Sequence, residues 1–222
     1  MKAKSLPLKN NNKIASRLFS GVDFTALSKA IMGLFHTSSE KHGADCLLIA
    51  EHAKELLNQE GINAELVIGE CAIRVDGNDG GAVISHMSNS AKSNSSGSEL
   101  GFHAWIKINE VWNVDFTTYQ IPLKMKALDA IDGRATPVSW SPEFIVFRSS
   151  DCSTFEGVQE SFKSGVIHYS PGCPDKRKIL DEHSNYSIDQ EDHENLKTIY
   201  ETVKSGGEFV VHGPLGSLTL TK

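Results

Sequence analysis

Helical spacing near the start of the chain and strand patterning through its middle predict a mixed α+β fold. A wide apolar helix stops at a glycine just ahead of the first strand. Further on, two short strands rich in aromatic and β-branched residues are separated only by Asn109-Glu110. With 222 residues, 39% of them hydrophobic and 23% charged, the chain is long enough to bury a core without disulfides and has the make-up of a soluble protein.

The elements are expected in the following order. Val22 to Phe35 reads as a helix, with Asp23 as a cap and Phe24, Leu27, Ile31 and Leu34 on one stripe. A second helix runs from about Asp45 to Glu60 and ends at Gly61. Leu47, Leu48, Ile49, Ala50, Ala53, Leu56 and Leu57 cover so much of it that most of its surface should be buried. Asn63 to Val75 reads as a strand, Asp76 to Gly81 as a turn cluster, and Ala82 to His86 as a short strand. Ser88 to Ser98, dominated by serine and asparagine, reads as a surface loop. Strands follow at Phe102 to Ile108 and Val111 to Thr117. Beyond Ile121-Pro122 the pattern weakens. Lys124 to Ile131 suits a helix, Glu143 to Phe147 a strand, Asn195 to Val203 a helix and Phe209 to His212 a strand, while acidic Asp181 to Glu194 reads as a solvated loop.

Three residues stand out chemically. Cys46 opens the buried helix, where unpaired N–H groups favour a thiolate. His103 lies on a strand, and Asp115 sits between Val114 and Phe116, an apolar setting in which a carboxylate needs a donor. A thiol, an imidazole and a carboxylate are the parts of a nucleophilic catalyst. Taken singly, Cys46 and His103 have plainer readings: a small buried hydrophobe and a structural strand histidine. Trp105, with Trp112 and Phe116, lines a cleft or fills a core.

Together the three stretches resemble the transglutaminase-like superfamily. Gly43-Ala44-Asp45-Cys46 leading into Leu47-Leu48-Ile49-Ala50, then Gly61-Ile62-Asn63-Ala64 and a strand to Gly69, is similar to its nucleophile helix and the strand that follows. His103-Ala104-Trp105 and Trp112-Asn113-Val114-Asp115-Phe116-Thr117 resemble its histidine and aspartate strands. The likeness spans about a third of the chain. It implies a papain-like core, with the nucleophile helix packed on an antiparallel sheet, and catalytic roles for Cys46, His103 and Asp115. The implied activity is thiol-dependent acyl transfer. A cysteine hydrolase cutting a peptide or amide comes first, an acyltransferase of the transglutaminase type second, and a silent binding module on the same fold third. Residues 1–20 are then an N-terminal extension, 21–150 the catalytic core and 151–222 a C-terminal extension packed on the same domain. Trp105 becomes a candidate substrate contact. Glu40 stands where papain-like proteases carry glutamine, so no side-chain oxyanion donor can be placed; the amide of Cys46 is the expected one.

Formal net charge of −6 argues against nucleic-acid binding, and no segment is apolar enough to span a membrane. Met1 to Asn12 lacks the apolar run of a signal peptide, and the four cysteines form no CxxC pair. Reduced thiols in the cytoplasm are therefore expected. The expected partner is a peptide, protein or small amide substrate, with no cofactor. His36, His42 and Cys46, or His168 with Cys173, have the residue types of a metal site, but none repeats a zinc spacing.

Strand parity sets a geometric condition. A plain two-residue turn at Asn109-Glu110 would put Asp115 opposite Ala104, on the face away from His103. A three-residue loop, Asn109 to Val111, puts Asp115 opposite Trp105 and diagonal to His103. The odd register is the expectation.

Overall fold

The computed structural model describes residues 4–6, 11–38, 45–77, 81–86, 102–172, 189–214 and 216–222. In chain order these form α1 (Asn11–Leu18), α2 (Phe24–Ser38), α3 (Cys46–Gln59), β1 (Ala64–Arg74), β2 (Val83–His86), β3 (His103–Ile108), β4 (Trp112–Asp115), α4 (Ile121–Asp132), β5 (Ile145–Arg148), α5 (Phe155–Gln159), β6 (Ile167–Pro171), α6 (Gln190–Lys204), β7 (Phe209–Gly213) and β8 (Gly216–Leu220). The fold is α+β.

Local chemistry sets the helix ends. Asp23 Oδ1 accepts from the backbone N–H groups of Thr25 and Ala26 (3.1 and 3.0 Å) and so caps α2. Gly61, at φ 81°, turns the chain out of α3 in the left-handed conformation that glycine adopts without strain. Pro122 sits in the first turn of α4 and Gly133 closes it. Two expectations are corrected here. Asp189 accepts from Glu191 N (2.9 Å), so the last long helix begins at Gln190, and Gln190 to Glu194 are helical rather than loop; residues 181–188 lie outside the described residues. In addition α1, α5, β6 and β8 form where no element was expected.

The main sheet is antiparallel, with β1 as its spine. β1 pairs with β3 through Ala64–Gly69, with β6 through Gly69–Ile73 and with β2 through Cys71–Arg74, while β4 and β5 continue beyond β3. Side chains of alternating parity meet two separate cores. Ala64, Ile68, Ala104, Ile106, Val114 and Val146 face α2, α3 and α6, and pack on Leu27, Ile31, Ile49, Leu56, Leu57 and Tyr200. Truncating one of these, for example Leu57→Ala, is expected to cost about 2–5 kcal/mol. The opposite face carries Ile73, Trp105, Ile145, Phe147, Ile167 and Tyr169 under α4, through Ile121 and Met125. The N-terminal segment is tied to the sheet, since Asn11 Oδ1 accepts from Val146 N (3.2 Å).

The β3–β4 hairpin has the odd register. Ile108 pairs with Trp112, Lys107 with Asn113 and Ile106 with Val114. Asn109 and Glu110 both lie in the left-handed region (φ 49° and 60°), Val111 N donates to the Ile108 carbonyl (3.2 Å), and exposed Val111 is the extra residue.

Candidate active site

Register alone gathers the polar side chains on the α4 face. Cys71 pairs directly with His86 on one neighbour strand and with Tyr169 on another. Gly69, of the same parity as Cys71, pairs with His103. Extending the hairpin register sets Asp115 opposite Trp105, hence on the face of His103. Gly69 is bare for a reason: a Cβ there would fall 2.2 Å from the Ser170 carbonyl oxygen and 2.8 Å from Cη2 of Trp105. The indole ring occupies the room that a side chain at 69 would take.

His103 and Asp115 meet. Nε2 of His103 lies 2.8 Å from Oδ2 of Asp115 in a pair that is 3% and 1% exposed. Asp115 has a donor for each lone pair it presents. Oδ2 also accepts from the Tyr169 hydroxyl (2.5 Å), and Oδ1 accepts from the backbone N–H and the hydroxyl of Thr117, both at 2.7 Å. The Asp115–Thr117 turn ends β4, which explains an aspartate at that strand position. Burial opposes charge on Asp115, but His103 and the donors outweigh it and hold the carboxyl below its ordinary range. Burial also opposes charge on the His103 ring, yet its pKa is held well above the ordinary value. Cys71 heads the opposing influences, but burial keeps its own thiol protonated up to about 11, so near neutral pH Asp115 carries the effect. Burial likewise keeps the Tyr169 hydroxyl protonated and able to donate.

With Nε2 committed to Asp115, Nδ1 of His103 is the free ring nitrogen, buried without a hydrogen-bond partner. Cys46, the first residue of α3, lines the same small cavity and is among the groups that favour the charged ring, although its thiol completes no hydrogen bond to Nδ1. That cavity, about 30 Å³, has room for a water or two. Cys71, His86, Thr117, Gln120 and Lys124 also line it. The His86 and His103 rings stack with centroids 5.2 Å apart, and the Lys124 ammonium touches the His86 ring. Burial, then Lys124 and His103, hold His86 well below its usual pKa, and burial lowers Lys124 too.

Of the residues singled out in the sequence, Cys46 and His103 line one cavity, Asp115 bonds His103 from behind it, and Trp105 lies apart from it. That residue is 1% exposed, with Nε1 donating to Asn113 Oδ1 (3.0 Å), so it backs His103 from inside the core and has no surface for a substrate. Cys71, His86, Gln120, Lys124 and Tyr169 were missed. Tyr169 had a signal, an Ile167-His168-Tyr169 run bounded by Gly165 and Pro171-Gly172; the others had none. Of the ligand types weighed for a metal, His36 bonds the Gly216 carbonyl and His168 the Ser153 carbonyl, while His42 and Cys173 lie outside the described residues, as do Glu40 and 88–98.

A family model described as "Protein of unknown function (DUF2026)" matches residues 20–132, just over half of the chain. A solved structure described as "The crystal structure of genomics APC5867" is similar with a TM-score of 0.55 and 14% identity, covering 92% of this chain and 95% of that one, a likeness of fold alone. No curated protein matches.

Proposed function

The chain belongs to the DUF2026 family, whose function is unknown, and from its site we propose a thiol-dependent acyl-transfer enzyme, foremost a cysteine hydrolase of peptides or amides. The reading takes the core as papain-like, of the transglutaminase-like kind. The observation that carries it is the buried His103–Asp115 pair, which leaves Nδ1 without a partner while His103 and Cys46 line one cavity.

Asp115 accepts the Nε2 proton and so fixes the tautomer, leaving the Nδ1 lone pair to take the Cys46 proton. The thiolate attacks the carbonyl carbon, and the carbonyl π electrons move to oxygen. That oxyanion is received by the N–H groups of the α3 start, which have no partner inside the helix. Gln120, buried on the cavity wall, already donates its Nε2 to the Tyr119 hydroxyl (3.2 Å), so the backbone amides remain the donors of this reading. Imidazolium then gives its proton to the leaving amine, and water activated by Nδ1 cleaves the thioester. Cys46, Cys71 and Cys152 are free thiols, which supports a cytoplasmic setting; among the described residues no helix is long and apolar enough to cross a membrane.

The test is the rate at which a small thiol-directed electrophile labels each cysteine. Cys46 is expected to react fastest in the wild type and far more slowly in His103→Ala, while Cys152 reacts alike in both. Labelling of Cys46 no faster than Cys152, and indifferent to His103→Ala, would overturn the proposal.

A further inference from the structure

Three of the side chains on the cavity have nothing to do in that chemistry, or only part of what they could do. Donor atoms of Cys71, His86 and His103 all lie within 4.8 Å of one another. Cys71 and His86 are direct partners across β1 and β2, and His103 stands diagonal to Cys71 across Gly69, so the backbone ladder itself holds the three. His103 is 3% exposed and its Nδ1 has no partner.

We propose that Cys71, His86 and His103 bind a zinc-class divalent cation, which on binding takes the Nδ1 lone pair and switches the thiol chemistry off. The second half of this statement rests on the reading of Cys46 and His103 given above. One thiolate and two imidazoles with a fourth position left open suit a d¹⁰ cation of borderline softness. Asp115 already bonds the far nitrogen of His103, the outer-shell arrangement that orients a metal-bound histidine and raises its basicity. Zinc bonds of about 2.0–2.3 Å put ligand atoms about 3.3–3.8 Å apart, so the two rings and the thiol must close by about an ångström. Binding releases the Cys71 thiol proton and any proton on Nδ1 to solvent. No bond to Cys46 is required.

Lys124 opposes the cation. Its ammonium touches the His86 ring and must withdraw before a metal can enter. Lys124 therefore acts as a resident positive charge that competes with zinc for the same ring.

The experiment titrates Zn²⁺ against a chromophoric chelator, with Cys46 labelling measured in parallel. Wild type and Cys46→Ala are expected to hold one Zn²⁺ per chain. His86→Ala and Cys71→Ser should bind more than ~100-fold more weakly, beyond the ~10–100-fold cost of losing an outer-shell partner. Lys124→Met should bind more tightly, a gain that misfolding cannot imitate. Zn²⁺ should suppress Cys46 labelling in wild type and leave it untouched in His86→Ala, whose fold is checked by circular dichroism. Equal affinity in wild type, His86→Ala and Cys71→Ser overturns the site, as does absence of binding by both wild type and Lys124→Met. Chelator competition reads binding whether or not Cys46 is reactive: zinc held with a sluggish Cys46 defeats the thiol reading alone, and a fast Cys46 without zinc defeats the metal site alone.

Discussion

Two stacked histidine pairs lie against the sheet, and in one of them a ring is hydrogen-bonded to a buried carboxylate. In the cavity, His103 lies beside His86 and is bound by a carboxylate that itself accepts from Tyr169 and Thr117. Between α3 and α6, His52 and His193 stack with centroids 5.9 Å apart, edge-on to Phe35, and Nδ1 of each is buried with no partner. Burial, followed by His193, holds His52 below its ordinary value. His103 is thus held above its ordinary pKa, while His52 across the sheet and His86 beside it, neither bonded to a carboxylate, are held below theirs. What decides is a carboxylate with its own donors, not depth of burial.

The strongest way to break this contrast is Asp115→Ala. It leaves a favoured charge on His103 without its counter-charge and should destabilise the fold by about 3–5 kcal/mol, read from the midpoint of urea unfolding. A loss below about 1 kcal/mol would mean that His103 is neutral and weakly held. Tyr169→Phe removes one hydroxyl donor to the carboxylate and should cost about 1.5–3 kcal/mol by the same measurement.

A pH scan separates the pairs further. The His103 pKa is raised on folding, so its stabilisation is full below 6.5 and fades as pH climbs through the raised value. Asp115 is lowered, so its share is full above 3.8 and fades in stronger acid. His52 is lowered, so the folded state loses stability as pH falls below 6.5, where the unfolded ring takes up a proton. That slope, at most about 1.4 kcal/mol per pH unit, should flatten in His52→Leu and persist in Tyr169→Phe. The smallest effect sharpens the comparison from the other direction. Gln59 Nε2 contacts His193 Nε2 at 3.1 Å, and Gln59→Glu would give the second pair a carboxylate. A gain of only about 0.2–1 kcal/mol is expected, because Gln59 is exposed.

Much of the cavity was legible because its chemistry is local. Cys46 follows from an apolar helix with a defined start, and Asp115 from a carboxylate stranded between Val114 and Phe116. Parity then required an odd hairpin, which Val111 supplies. Cys71 and His86 were not legible. Each sits in a stretch that reads as ordinary strand, and what brings them together is the β1–β2 ladder, whose register the turn cluster at Asp76 to Gly81 does not fix. Trp105 stayed open between cleft and core because strand periodicity gives a face but not what covers it. Here α4 covers that face.

The one extra residue at Val111 has a consequence for how this chain can change length. Deleting it would move Asp115 behind the sheet while leaving every residue of the cavity in place in the sequence. Adding two residues at the same spot would keep the carboxylate on its face. Relatives that retain this histidine–carboxylate pair should therefore differ at this hairpin in steps of two, and a chain one residue shorter there should have lost the aspartate as well.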